Sequence, residues 1–229
     1  GVIGSKPNSN PDLEIANKII NSFKLLKNKP ALLHIGSSSE YTSAEFESDS
    51  DELSECQPSS VYGNNKLAVT KYLLNSSEQL NFKLCVCRVF NIIGPSMNKK
   101  TILGRLYDEV ILNKKKDIDF SSLSSYRDYI DIRDVSDAIV KLIVKINSIK
   151  HFSKILNVGS GNAIQMRSLI SQIKHASNDL FEFNEVDEGH GDGNVFWQRA
   201  KIEKIQEIIG WKAQYTTSKS IEYFLNRED

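Results

Sequence analysis

The sequence has few cysteines, no long apolar run and no excess of charge of either sign. Its three cysteines, Cys56, Cys85 and Cys87, cannot all pair and form no metal-binding spacing with histidine, so we expect reduced thiols, no metal and a cytoplasmic protein. The 29 basic and 29 acidic residues cancel, which gives no electrostatic reason to expect nucleic acid as a partner. No apolar run approaches the length of a membrane span, so no membrane partner is expected.

The sequence also lacks the glycine turn that opens a dinucleotide-binding fold. Such a fold begins with a strand that runs into Gly-x-Gly-x-x-Gly, and a carboxylate follows about twenty residues later. Gly159 and Gly161 come too late in the chain, and Gly1 and Gly4 have no strand before them. We therefore expect the first βαβα portion of such a fold to be absent from these residues, and NAD(P) binding by them alone to be weak or missing.

The most informative motif is Tyr62-Gly63-Asn64-Asn65-Lys66. Proline and serine precede an Ala/Val/Leu-rich run here, which predicts a helix on which Tyr62 and Lys66 share one face. A free phenol loses its proton only at about pH 10, and a neighbouring cation favours the phenolate. Tyr62 is therefore a candidate proton donor and acceptor, although Tyr-x-x-x-Lys alone is common on solvated helices.

Three serines follow a short apolar strand predicted over residues 31–36. The hydroxyl groups of Ser37, Ser38 and Ser39 would then project at the carboxyl end of a sheet, where open α/β folds bind ligands. A hydroxyl group there could hold the substrate oxygen that Tyr62 protonates. This setting favours a catalytic role for Tyr62 and Lys66.

The order of five motifs points to a family. They lie at residues 36–41, 58–66, 88–95, 126–134 and 157–161. This succession resembles, nearly end to end, the extended short-chain dehydrogenases/reductases of the NAD-dependent epimerase/dehydratase family. The motif sequences are most similar to those of GDP-4-keto-6-deoxy-mannose reductases, which share Gly-Ser-Ser-x-Glu-Tyr at the strand end.

The resemblance implies an α/β fold, with part of a Rossmann-like doubly wound parallel sheet and a small α/β substrate-binding lobe. Residues 1–150 would form the partial NAD(P)-binding domain and residues 151–229 mainly the lobe, with segments interleaved. It further implies NAD or NADP as the cofactor and a nucleotide sugar as the substrate, in the biosynthesis of a deoxysugar or a polysaccharide. The resemblance also implies a homodimer, formed through the helices that begin near Asp12 and Ser60.

The resemblance also assigns residues to roles. The catalytic candidates are Ser38, Tyr62, Lys66 and Glu40; the cofactor-binding candidates are Ser37, Tyr62, Lys66, Phe90 and Ile93; the substrate-binding candidates are Ser39, Asn91, Arg105 and Arg127. A guanidinium at position 127 suits a diphosphate because its planar fork meets two oxygens at once. A buried structural pair of Arg127 with Asp128 is the alternative.

Several segments depart from the family or carry weaker expectations. The acidic run 45–55 predicts a mobile, solvated loop, and Thr42 stands where relatives usually have glycine. Residues 189–192 differ from the Arg-Pro-Gly-Asp of relatives, so His190 or Arg199 could take over a nucleotide contact. Asn17 matches a family asparagine that helps to order the active site.

Three reactions and one non-catalytic role remain open. The preferred one is reduction of a nucleotide 4-keto-6-deoxy sugar. A 4,6-dehydratase needs an additional acid and base directly after the serine, and Ser39-Glu40 keeps that reaction open. A 4-epimerase needs only tightly held NAD. A binding or assembly subunit without its cofactor half is the last alternative.

Periodicity and turn residues predict the remaining elements. Helices are expected from Pro11 towards Lys29, over 101–114, from Val135 with Asp134 as its cap, and over 166–176. One strand is expected to run through residues 84–92. Further elements are predicted at 126–132, 155–158, 180–186, 202–209 and 218–225.

Overall fold

The computed structural model describes residues 10–44, 46–149, 151–186 and 196–226. The helices are α1 (Pro11–Leu25), α2 (Val61–Leu80), α3 (Ile102–Leu106), α4 (Ile132–Ser148), α5 (Met166–Ala176), α6 (Glu203–Ile209) and α7 (Thr217–Leu225). The strands are β1 (Leu32–Ser37), β2 (Leu84–Val89), β3 (Asn91–Ile93), β4 (Asp117–Phe120), β5 (Tyr126–Asp131), β6 (Ser153–Val158), β7 (Ala163–Gln165) and β8 (Glu182–Glu185). A 3₁₀ turn, Ser38–Glu40, follows β1 directly.

A parallel sheet in the order β1-β2-β6 carries the larger part of the fold. Every residue of β2 is buried, as expected for the central strand of a sheet covered on both faces. Leu84 and Val86 pack with α1 and α2, whereas Cys85 and Cys87 face the core under α4 and α6. The three cysteines are free thiols. The parallel sheet between two helical layers confirms the predicted fold class.

Smaller sheets and the packing around them form a second core. Strand β5 lies between parallel β3 and antiparallel β7, and β4 pairs with β8. Leucine, isoleucine and phenylalanine side chains from α3, β4, α5 and α7 fill the cluster, which includes Phe120, Leu169 and Phe224. This core takes residues from both sides of position 150, and β6 and α6 pack instead with the larger sheet. The division at residue 150 stays a prediction.

The helix predicted from Val135 begins earlier. Asp131, not Asp134, is the N-cap of α4, and its carboxylate accepts the backbone N–H of Arg133. The prediction of Asp134 as the cap was wrong because that carboxylate accepts the backbone N–H groups of Gln214 and Tyr215. Arg133 forms an ion pair with Asp131.

Two predicted continuous elements are interrupted. The strand expected over residues 84–92 breaks at Phe90, because β2 belongs to the large sheet and β3 pairs with β5. The helix expected over residues 101–114 changes at Tyr107 from α3 to a π-helix, Tyr107–Leu112. The 11-residue helix α5 has the predicted bounds.

The acidic run after Ala44 is anchored rather than solvated throughout. Ser50 is buried and exchanges backbone hydrogen bonds with Arg199 and Lys201. The Glu52 carboxylate accepts the backbone N–H of Asn157. The expectation of a mobile loop was therefore wrong for these positions: backbone pairing with residues distant in sequence fixes them. Among the described residues, no helix has the length and hydropathy needed to cross a membrane.

Candidate active site

A cavity of about 530 Å³ opens where β1 and β2 end. Its lining combines polar side chains from the serine turn and α2 with apolar ones from the segment after β2. Of the predicted residues, the lining includes Ser37, Ser38, Ser39, Tyr62, Lys66, Phe90 and Asn91. The described part of the chain brings no three potential metal ligands of the His, Cys, Asp or Glu type together.

The serine turn presents Ser38 at the end of the strand. The Ser37 hydroxyl is used as a cap, accepting the backbone N–H of Ser39 at 3.1 Å. Ser38 follows the cap directly, and only 4% of it is exposed. Ser39 lines this cavity and also a second, adjoining cavity of about 190 Å³. All three serines thus line the first cavity, and the Ser37 hydroxyl in addition holds the turn together.

Helix α2 carries Tyr62 and Lys66 on the cavity side. The Lys66 ammonium lies 5.7 Å from the centroid of the Tyr62 ring, which confirms that the two side chains are neighbours. Lys66 Nζ also donates to Asp12 Oδ2 at 2.7 Å. Beside it, Asn10 Nδ2 donates to the carbonyl of Asn65. The first turn of α1 thus holds the segment of α2 that bears the lysine.

Glu40, a catalytic candidate from the sequence, lines neither cavity. Its side chain is 0% exposed and its Oε2 accepts a hydrogen bond from Arg88 Nε at 2.9 Å. Its Oε1 accepts the backbone N–H of Ser37 at 3.0 Å. Both carboxylate oxygens are occupied by protein donors, so the geometry contradicts a direct acid–base role.

A second cavity, of about 190 Å³, adjoins the first and shares Ser39 and Asn91 with it. Arg127 lines it, and burial lowers the pKa of its guanidinium. Arg127 Nη1 donates to the carbonyl of Tyr126. Gln198 also lines the second cavity and contacts two residues of the first: its Oε1 accepts from Asn91 Nδ2 at 2.8 Å, and its Nε2 lies 3.4 Å from the Ser38 carbonyl oxygen.

Asp128 does not pair with Arg127. Its buried carboxylate accepts the backbone N–H groups of Ser160, Gly161 and Ala200 and the hydroxyl of Ser160. Burial raises the pKa of Asp128, and these hydrogen bonds oppose that effect. The Arg127–Asp128 structural pair considered from the sequence is therefore wrong, and the Arg127 side chain remains available to the second cavity.

Two further predicted contacts are placed elsewhere. Ile93 points into the second core, and Ile92 lines the cavity instead, because side chains alternate along β3. Arg105 lines neither cavity: its Nη2 donates to the carbonyl of Asp119 and its guanidinium lies 5.1 Å from the Phe120 ring centroid. These positions do not support direct cofactor or substrate contact.

Sequence reasoning missed Asp12 and Gln198. No local pattern marks either one, since each acquires its place from a segment more than fifty residues away. Arg199 pairs with Asp49 and lies outside both cavities. Asn17 is exposed on α1, whereas Asn10 makes the contact with α2. The prediction for His190 lies outside the described residues.

Comparisons with known proteins identify a family and a fold. The sequence pattern of the "NAD dependent epimerase/dehydratase family" matches residues 10–159. A curated relative, dTDP-6-deoxy-L-talose 4-dehydrogenase (NAD(P)(+)) of Kitasatospora kifunensis, is 22% identical over 212 residues, which cover 90% of this chain and 65% of the relative. The chain spans 46–65% of the length of the first curated relatives that it matches.

Solved structures share the fold. RMD from Pseudomonas aeruginosa complexed with NADPH has a TM-score of 0.82 at 20% identity, over 93% of this chain and 71% of that one. UDP-glucuronic acid 4-epimerase from Bacillus cereus, in complex with UDP-glucuronic acid and NAD, has a TM-score of 0.82 at 19% identity, over 93% and 66%.

Proposed function

Because this chain belongs to the NAD-dependent epimerase/dehydratase family, we propose that it acts on nucleotide sugars with NAD or NADP, as a 4-ketoreductase of a nucleotide 4-keto-6-deoxy sugar. One observation carries the proposal: Ser38, Tyr62 and Lys66 line one cavity, and the adjoining cavity, which shares Ser39 and Asn91, contains Arg127. A site for proton transfer thus adjoins a site for an anion.

In the proposed reaction, the chain's own residues bind and protonate the C4 oxygen. The Ser38 hydroxyl donates a hydrogen bond to it, and Tyr62 donates the proton that converts it to a hydroxyl group. The Lys66 ammonium lies against the Tyr62 ring, where a positive charge stabilises the tyrosinate left behind. A reduced nicotinamide bound in the first cavity would supply the hydride for C4.

The first cavity fits the nicotinamide end of such a cofactor. Phe90, Ile92 and Pro95 provide apolar surface, which suits a planar ring, and the Lys66 ammonium can donate to ribose hydroxyl groups. Tyr62 and Lys66 would hold the cofactor together with Phe90. These residues also bring the ring close to the serine turn.

The second cavity suits the diphosphate. Arg127 is the cation among its lining residues, and its guanidinium is partly freed from water by burial, which strengthens its attraction for phosphate oxygens. The sugar would then lie along the lining shared by the two cavities, at Ser39 and Asn91, with Gln198 beside them.

Dehydration is less well supported. That reaction needs an acid and a base beside C5 and C6, and Glu40, the carboxylate next to the serines, is buried against Arg88. Reduction at C4 requires only the one proton that Tyr62 can supply.

The test uses the polypeptide as its source makes it, because NAD(P) binding by these residues alone is expected to be weak or missing. It is incubated with NADH or NADPH and a panel of nucleotide 4-keto-6-deoxy sugars, and nicotinamide oxidation and the product are followed by NMR. We expect stoichiometric oxidation and a new C4 hydroxyl group. Interconversion of C4 epimers without net oxidation would identify an epimerase instead. Loss of water from a nucleotide hexose would identify a dehydratase. Cofactor binding without any turnover would favour a non-catalytic subunit.

A homodimer in the cytoplasm is part of the same proposal. Ile15 on α1 and Val61 on α2 expose apolar side chains next to the site, which suits a symmetric contact between these helices. Molar mass from light scattering tests the dimer, and a monomer at micromolar concentration would argue against it.

A further inference from the structure

We propose that Glu40 and Arg88 form a positioning pair that fixes the turn bearing Ser38, and that neither group exchanges a proton with the substrate. The importance of Ser38 rests on the proposed function. The pair itself is defined by contacts within the protein: the Arg88 Nε hydrogen bond to Glu40 and the Ser37 N–H hydrogen bond to Glu40.

The carboxylate of Glu40 joins the turn to the sheet. One oxygen accepts the backbone N–H of Ser37, the residue immediately before Ser38, and the other accepts from Arg88 on the neighbouring strand β2. The Ser37 hydroxyl completes the turn by capping the N–H of Ser39. Backbone donors on both sides of Ser38 are thus bound, which fixes the position of the backbone that carries its hydroxyl.

Gly36 makes room for this arrangement. A Cβ atom at position 36 would lie 2.6 Å from Glu40 Oε1, closer than any normal contact. A side chain there would displace the carboxylate from the Ser37 N–H. The glycine at the strand end is therefore explained by the fit of Glu40, not by a backbone conformation that only glycine adopts.

Arg88 is itself held from two further directions. Gly36, Arg88 and Asn157 stand in one row across β1, β2 and β6. The guanidinium lies 4.4 Å from the ring centroid of Tyr41, and the Tyr41 hydroxyl donates to Asn157 Oδ1 at 2.6 Å. The turn is therefore connected through a buried polar network to all three strands of the large sheet.

The energetics of buried ion pairs make this role testable. Removing one partner leaves an uncompensated buried charge, whereas replacing both with neutral groups of similar size is much better tolerated. If the pair only positions Ser38, Arg88→Met should impair the protein more than Glu40→Gln combined with Arg88→Met. If Glu40 transfers a proton, the double variant should be no better than the single one.

The experiment compares Glu40→Gln, Arg88→Met, the double variant and Asp134→Asn with the wild type. Asp134→Asn is the matched control, because it also removes a buried carboxylate that accepts backbone N–H groups, but its partners, Gln214 and Tyr215, lie outside the turn. Two quantities are measured: hydrogen exchange of the amides in residues 36–41, and turnover of the nucleotide sugar with NAD(P)H.

We expect Glu40→Gln to speed amide exchange in residues 36–41 and to lower kcat by about a hundredfold, the scale of a small misplacement of a reacting group, with nearly unchanged KM. Arg88→Met should also lower kcat and speed this exchange, and the double variant should show smaller changes in both quantities. Asp134→Asn should leave kcat and amide exchange as in the wild type.

A loss of kcat in Glu40→Gln with wild-type amide exchange, and no recovery in the double variant, would overturn the proposal in favour of proton transfer by Glu40. If the wild type turns over no nucleotide sugar, the proposed function fails. The role of Glu40 and Arg88 is then decided by the amide hydrogen exchange of residues 36–41 alone. Faster exchange in Glu40→Gln but not in Asp134→Asn then supports the positioning pair, and unchanged exchange contradicts it.

Discussion

A Cβ atom on Gly63 would lie 2.2 Å from the carbonyl oxygen of Ser39. The first turn of α2 therefore packs directly on the serine turn, and only glycine permits this approach. In the motif Tyr-Gly-x-x-Lys, the glycine between the two reactive residues is thus needed for the helix to pack against the serine turn. The contact brings Tyr62 to the cavity that Ser38 lines.

Gly63→Ala should lower both the free energy of unfolding and turnover. Alanine favours a helix over glycine by about 1 kcal/mol, but here its methyl group collides with backbone that cannot move away freely. Denaturant unfolding and a kcat measurement check the two effects. Lys71→Ala, on the exposed side of the same helix, is the control and should change neither. A more stable, fully active Gly63→Ala would contradict the packing argument.

In the polypeptide as its source makes it, Tyr62→Phe should lower kcat by about 10²–10⁴-fold, because the ring remains but the proton donor is lost. Cofactor affinity, measured by fluorescence titration with NADPH or NADH, should stay nearly constant, since Lys66 and Phe90 remain in the cavity. Tyr72→Phe, in the same helix, provides the comparison and should behave as the wild type. Equal turnover in the two variants would refute the role given to Tyr62.

Asp128→Asn should destabilise the protein by about 2–4 kcal/mol. The amide can accept through one oxygen only, and its NH₂ group would face backbone donors that now bind the carboxylate. Asp137→Asn removes an exposed partner of Lys141 and should cost less than about 0.5 kcal/mol. Chemical denaturation of both variants measures the difference, and similar losses would argue against a special role for the buried network.

His34 should make the protein less stable in mild acid. Burial, and then the Lys66 ammonium, lower the pKa of His34 below its ordinary value of 6.5, whereas Glu40 and Asp12 oppose this effect. As pH falls below 6.5 the unfolded chain binds a proton that the folded chain does not, so the free energy of unfolding decreases until the folded state also protonates.

Denaturant unfolding of the wild type and His34→Gln across about pH 5 to 8 measures this dependence. The variant should show a smaller loss of stability on acidification, and His151→Gln, at an exposed histidine, should follow the wild type. If the free energy of unfolding depends on pH identically in all three proteins, the contribution assigned to His34 is ruled out.

Local patterns were enough to predict the residues that meet at the first cavity. Ser38 is fixed by the end of a strand, and Tyr62 and Lys66 by helical spacing, so each position depends on its own segment. Helix α5 was predicted with its observed bounds for the same reason. Where several segments compete for one residue, sequence reasoning failed. Glu40 was assigned to chemistry from its position directly after the serines, and its partner Arg88, which lies 48 positions away, could not be recognised from the local sequence.

The alternation along β3 and the anchoring of Ser50 could not be read locally either. Ile92 and Ile93 are the same residue type in the same strand, and only the pairing of β3 with β5 decides which one faces the cavity. Ser50 sits in an acidic, apolar-poor run whose composition is typical of loops. Its backbone finds partners more than a hundred residues later, at positions that composition does not reveal.

The contact between Gln198 and the Ser38 carbonyl joins residues 160 positions apart. Contacts of such separation form slowly, because a long loop must close before any of its interactions can stabilise it. During synthesis, the serine turn and α2 emerge from the ribosome long before Gln198 exists as part of the chain. The wall of the second cavity, which Gln198 lines together with Arg127, is therefore completed late in folding. A nascent chain stalled before residue 198 would carry Ser38, Tyr62 and Lys66 beside an incomplete second cavity.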